Sequence, residues 1–180
     1  RDPRFRIEHA QILDERDIPR FGKLGVIASM QGIHCTSDRP WAPNRLGMAR
    51  VVEGLYVWRK LLQSGARIIN GTDAPVENVD PVKSFYASVT RQSEKGDPSG
   101  GFEPDQRMTR VEALRSYTLD AAYGSFQERT LGSIEPGKLA DLTVLSRDIL
   151  GVPDREILAA EVLFTIVDGK VRYERPAAQP

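Results

Sequence analysis

The sequence is short of the residues that usually advertise chemistry. It has 1 cysteine, Cys35, so no internal disulfide can form, a usage that fits a reducing compartment. It has only 2 histidines, His9 and His34, too few to make a full metal-ligand set without help. It lacks charge bias: Lys+Arg 25 balance Asp+Glu 25. That balance excludes the basic footprint of a nucleic-acid binder and a polybasic membrane patch. No apolar run approaches the roughly 20 residues that span a bilayer. No signal peptide is visible, although a clipped start would have removed one. A cytoplasmic location is favoured on these grounds. The chain also lacks an initiating Met, and Arg1 stands only a few residues ahead of a strand. The expectation is a piece of a longer protein.

What is present reads as globular: 180 residues, 40% hydrophobic and 28% charged, enough for one sizeable domain. Residues 4–10 alternate, with Phe5, Ile7 and His9 on one face and Arg4, Arg6 and Glu8 on the other. Asp14 is positioned to cap a helix over about 15–24, closed by Gly22 or Gly25. Residues 26–30 form a second strand, and a loop over 31–44 follows. Met48, Val51, Leu55, Trp58 and Leu62 recur at helical spacing and predict one helix over about 45–64, ended by Gly65. Residues 67–72 form a third strand. This βαβαβ order implies a parallel sheet.

Asp80-Pro81 opens a helix to about Gln92, and residues 93–107 read as a solvated loop. Thr109 to Glu112 is a capping box that starts a helix to about Tyr123. The texture then changes. Ala140 to Leu145 is a short strand, Pro153-Asp154 starts a helical turn, and Glu161–Val167 and Lys170–Glu174 flank the hairpin signal Asp168-Gly169. The expected organisation is a βα unit over 1–128, antiparallel strands over 129–175 and a disordered tail over 176–180.

Two strand-end motifs carry the chemistry: Arg-Ile-Glu-His-Ala-Gln ending with His9 in reach, and Asn-Gly-Thr-Asp-Ala-Pro presenting Asp73. A histidine and an aspartate on neighbouring strand ends are what metal-assisted hydrolysis needs. Cys35 reads as an inert small residue and Trp58 as core. Trp41 either packs or lines a substrate mouth. Glu8, on the face opposite His9, is expected to pair with an Arg of the helix layer. Arg91 and the 93–107 loop read as solvated, with a cover over the site as the other option.

The stretches RIEHAQ at 6–11, ASMQ followed by His34, SGARIINGTDAPV at 64–76, VEALRSYTLDAAY at 111–123, GSIEPGKLADLTVL at 132–145 and TIVDGKVRYE at 165–174 come in an informative order. In that order the chain resembles the amidohydrolase superfamily, most closely the family 3 branch that holds N-substituted formamide deformylase-like proteins. The resemblance implies an α/β fold: a partial (β/α)₈ TIM barrel, its last three βα units, followed by C-terminal strands of a small β-sandwich. It implies a divalent metal of the zinc type. His9 would ligate that metal or hydrogen-bond its hydroxide. Asp73 would be both ligand and general base. His34 would be a catalytic residue near the substrate, donating to the carbonyl oxygen as charge develops.

Gly71, just below Asp73, would leave room for a deep metal site. The family's His-x-His on the first strand is absent, as is its fifth-strand histidine. The expected function is therefore the C-terminal portion of a metal-dependent amidohydrolase that cleaves an amide or related C–N bond of a small molecule, with this chain inactive alone. A deaminase or phosphotriesterase-like hydrolase shares the metal chemistry. The alternative from another class is a non-catalytic or regulatory scaffold. No second cofactor, nucleic acid or membrane is expected. The open barrel face requires either a second copy of the chain or the preceding part of the protein to cover it.

Overall fold

A computed structural model describes residues 2–176. The first half builds a three-stranded parallel sheet in the order β1 (Arg6–Glu8), β2 (Ile27–Met30), β3 (Ile68–Asn70). Parallel neighbours cannot be joined by a tight turn, so helices fill the crossovers. α1 (Ile18–Leu24) links β1 to β2, and four short helices link β2 to β3: α2 (His34–Asp38), α3 (Ala42–Leu46), α4 (Met48–Gly54) and α5 (Trp58–Gln63). β2 is central, and Ile27, Ala28 and Met30 are buried. Phe5 and Ile7, on and beside the edge strand β1, stand 72% and 46% exposed rather than facing a core.

α1 starts later than residue 15. Its first turn holds Pro19, and a start at 15 would put that ring in the helix interior, where it lacks a donor and clashes. Asp14 does not cap it. Its carboxylate is taken by Arg16, through the backbone N–H at 3.0 Å and the guanidinium at 2.8–2.9 Å. Gly25, at φ 65°, ends the helix, with its N–H on Gly22 O and that of Val26 on Phe21 O, a Schellman closure.

The single helix predicted over 45–64 is three pieces. Gly47 breaks it at φ 79° and Tyr56 breaks it at φ 52°. The second break has a tertiary cause. Leu13 N–H bonds Gly54 O at 3.0 Å, Tyr56 N–H bonds Gln11 O at 2.8 Å, and Leu55 bridges Ile12. Strand-like pairing with the loop after β1 overrides helical propensity there. A Cβ on Gly54 would lie 1.8 Å from Leu13 O, so this close approach requires glycine. The expected stripe still buries Val51, Leu55 and Trp58, while Met48 is exposed.

α6 (Pro81–Thr90) follows β3, capped by Asp80, whose side chain accepts the Val82 N–H at 2.9 Å. It is buried on nearly every side. Arg91 then turns left-handed at φ 56° and is fully buried, not solvated. Its guanidinium donates to Tyr56 O at 2.9 Å and to Phe102 O, and lies 4.6 Å over the Trp58 ring. Burial pushes its pKa down. The segment expected as a plain solvated loop is thereby folded back, with Phe102 N–H on Arg91 O at 2.9 Å and Met108 N–H on Ser88 O at 3.1 Å.

α7 (Arg110–Tyr117) begins with the expected capping box: Thr109 Oγ1 accepts the Glu112 N–H at 3.2 Å, and Glu112 Oε2 accepts the Thr109 N–H at 2.7 Å. Glu112 also grips Arg59 in a two-pronged pair, which holds its carboxyl down at about 2. The helix predicted to run on to Tyr123 breaks at Thr118, and α8 (Leu119–Gly124) continues in a new direction. The last part forms an antiparallel sheet, β4 (Leu142–Leu145), β5 (Val162–Val167) and β6 (Lys170–Glu174), with α9 (Asp154–Ile157) between β4 and β5. Asp168 and Gly169 have φ 52° and 70°, the double positive turn that joins β5 to β6. Residues 177–180 of the expected tail lie outside the described residues. Among the described residues no helix is long and apolar enough to cross a membrane.

Candidate metal centre

The carboxyl ends of the three parallel strands gather the chemistry, the edge where open α/β sheets place ligands. His9 is the first residue after β1, His34 opens α2 beyond β2, and Asp73 lies in the turn after β3. One ligand atom from each lies within 4.8 Å of the other two. The imidazoles stack, with ring centroids 5.8 Å apart and planes 25° apart, and His34 Nε2 is 3.7 Å from Asp73 Oδ2. His9 and Asp73 have φ 67° and 58°, left-handed values rare outside glycine and typical of residues that a site holds in place. Both lie past the last paired residue of their strands, so strand alternation no longer sets their direction.

His34 is 6% exposed, and both its ring nitrogens are buried without a hydrogen-bond partner among the described residues. An unmet buried polar group costs about 1–3 kcal/mol. A bound metal with its oxygen ligands would give His34 the partner it lacks, and the His9 imidazole with the Asp73 carboxylate are donors suited to zinc. The residues present therefore fit a divalent metal.

The strand-end loop is packed from behind. Ile33 N–H reaches Ser84 Oγ at 3.2 Å, and a Cβ on Gly32 would lie 2.1 Å from Ser88 Oγ and 2.5 Å from Ser84 O. Gly32 is what lets the His34 loop press on α6. Gly32→Ala is expected to cost about 1–3 kcal/mol by overpacking and to weaken metal binding with it. A thermal melt equal to the parent's would contradict this.

Sequence reasoning missed a second tier. His9 Nδ1 pairs with Gln31 Oε1 at 2.9 Å. Gln11 Nε2 donates to Asp38 Oδ2 at 2.9 Å and to Tyr56 Oη at 2.7 Å, and Tyr56 Oη donates to Asp38 Oδ2 at 2.5 Å. Burial and then the Asp38 carboxylate push the Tyr56 phenol well above its ordinary range. This triangle ties the segment two residues beyond His9 to the helix that begins with His34. The available signal was spacing: Asp38 is one helical turn after His34.

Two other expectations change. Glu8 pairs at 2.8 Å with Arg6 on its own strand, not with an Arg of the helix layer. A Cβ on Gly71 would meet nothing within 4 Å, so crowding does not explain that glycine within this chain. Trp41 is 47% exposed with the Arg45 guanidinium 5.5 Å over its ring. Cys35 is fully buried, and burial pushes its thiol up to about 11, which leaves it unactivated.

Residues 1–173 match the family model described as the amidohydrolase family. The chain is 38% identical over 173 residues to the protein LONG AFTER FAR-RED 3 of Arabidopsis thaliana, covering 96% of this chain and 29% of that protein. It is 39% identical over 121 residues to the N-substituted formamide deformylase of Arthrobacter pascens, covering 67% of this chain and 22% of that enzyme. Among solved structures it superposes on a metal-dependent hydrolase of Pyrococcus horikoshii OT3 with TM-score 0.72 and 34% identity, covering 83% of this chain and 30% of that one. The chain spans less than a third of the length of these relatives. With an α/β fold like that of the metal-dependent hydrolases and a matching family model over nearly its whole length, the chain belongs to the amidohydrolase family.

Proposed function

We propose that these residues are the C-terminal portion of a metal-dependent hydrolase that cleaves an amide or related C–N bond of a small molecule. In this reading residues 1–128 are the last three βα units of a (β/α)₈ barrel and residues 129–175 are β-sandwich strands. The observation that carries it is the convergence of His9, His34 and Asp73 at the strand ends, with both His34 nitrogens unpaired.

His9 and Asp73 would hold a divalent metal of the zinc type. When bound, such a metal supplies a water whose pKa falls to about 7. Asp73 takes the proton from the attacking water and delivers it to the departing nitrogen. His34, held beside Asp73, donates to the carbonyl oxygen as negative charge builds there. Exposed Phe5 and Ile7 support a missing neighbour over β1, either the preceding part of the barrel or a second copy.

The test is elemental analysis of the full-length polypeptide carrying these residues, with a panel of amide and N-formyl substrates. About one equivalent of a divalent metal is expected. Hydrolysis should be lost on chelation and restored by zinc. A metal-free protein that turns over nothing in the panel would overturn this reading in favour of a non-catalytic scaffold.

A further inference from the structure

We propose that Gln31 is a positioning residue for His9: its carboxamide oxygen holds the imidazole in the Nδ1–H tautomer and leaves Nε2 as the nitrogen that faces a metal. The proposal rests on the reading of His9 as a ligand.

A carboxamide oxygen accepts and cannot donate. Across the 2.9 Å contact between Gln31 Oε1 and His9 Nδ1, the proton therefore belongs to the ring. A neutral imidazole carries one N–H and one lone pair, so committing Nδ1 as donor makes Nε2 the free lone pair. Gln31 is itself well placed to enforce this. It is 7% exposed and is the first residue after β2, the central strand. Its backbone carbonyl accepts the His34 N–H at 3.2 Å, so one residue contacts both imidazole-bearing segments. The next residue, Gly32, is pressed against α6 and cannot drift. The acceptor is neutral, so it sets the tautomer without adding a second negative charge beside Asp73.

An outer partner that fixes a ligating histidine is worth about 10–100-fold in metal affinity. The experiment uses the full-length polypeptide with zinc as the probe, titrated against a competing chelator. It compares the parent with Gln31→Leu, Gln31→Met, Gln31→Glu and His9→Ala. Nitrogen-15 spectra of labelled histidine report the His9 tautomer in the metal-free state.

The expected result is an Nδ1–H signal in the parent and zinc binding weakened about 10–100-fold in Gln31→Leu. Gln31→Glu, which keeps an acceptor, should restore most of that loss. Gln31→Met, closer in shape, serves the same comparison if the leucine variant does not fold. Parent-like zinc affinity in the leucine or methionine variant, with affinity lost in His9→Ala, overturns this proposal alone. So does an Nε2–H tautomer in the parent. Parent-like affinity in His9→Ala overturns the ligand reading and this proposal together.

Discussion

Asp73→Asn in the full-length protein is expected to lower kcat/KM by about 10²–10⁴-fold, the range that a positioned general base contributes. The substitution isolates chemistry from folding. Asp73 sits at φ 58°, a conformation that Asn tolerates as well as Asp does, so the turn after β3 survives the change. The turn is made by the backbone, through Val76 N–H on Asp73 O at 2.8 Å, and needs no carboxylate. What is lost, in the proposed reading, is the group that would accept a proton and bind a cation. Steady-state kinetics on the best substrate of the panel, with metal content measured on the same samples, check it. Activity within tenfold of the parent would mean that some other group takes the proton.

Arg91→Ala is expected to produce the largest stability change, about 2–4 kcal/mol. The guanidinium is fully buried and donates to two carbonyls, Tyr56 O and Phe102 O. Removing it takes the donor from Phe102 O, at about 1–3 kcal/mol, while Tyr56 O keeps the Trp58 N–H at 2.9 Å, and it leaves a void against the Trp58 ring. Arg91→Lys keeps one donor but not the fork, and should recover only part of the loss. Denaturant midpoints at constant m-value measure this in the full-length protein. A loss under about 1 kcal/mol would show that Phe102 O finds another donor.

What the sequence made legible was local. The capping box at Thr109 and Glu112, the Asp168-Gly169 turn and the left-handed close of α1 at Gly25 are each decided by a few adjacent residues. The strand ends bearing His9 and Asp73 were legible because apolar runs stop there. The start of α1 and the partner of Glu8 were missed for local reasons, Pro19 and Arg6, but the larger misses share one physical cause, contacts between distant segments. Residues 11–13 pair with 54–56 and split what periodicity reads as one helix. Arg91 is a charged residue, a class almost never fully buried, and only the carbonyls 11 and 35 residues away explain its burial. Gln31 meets His9 across 22 residues, and neither residue type signals the other. Gly32 and Ile33, just ahead of His34, pack on Ser84 and Ser88, which no spacing near His34 reveals.

The Gln11–Asp38–Tyr56 triangle has a mechanical consequence. Swinging α2 outward to admit a bulky molecule would tear a phenol, 1% exposed, from its carboxylate partner, so that flank of the cleft is rigid. The turn after β3 is tied to the same helix, Ser37 Oγ donating to Glu77 Oε1 at 2.5 Å, while Val76 and Val79 on either side stand 72% and 74% exposed. In the proposed hydrolase the turn bearing Asp73 would therefore move with α2 rather than against it, as a single jaw.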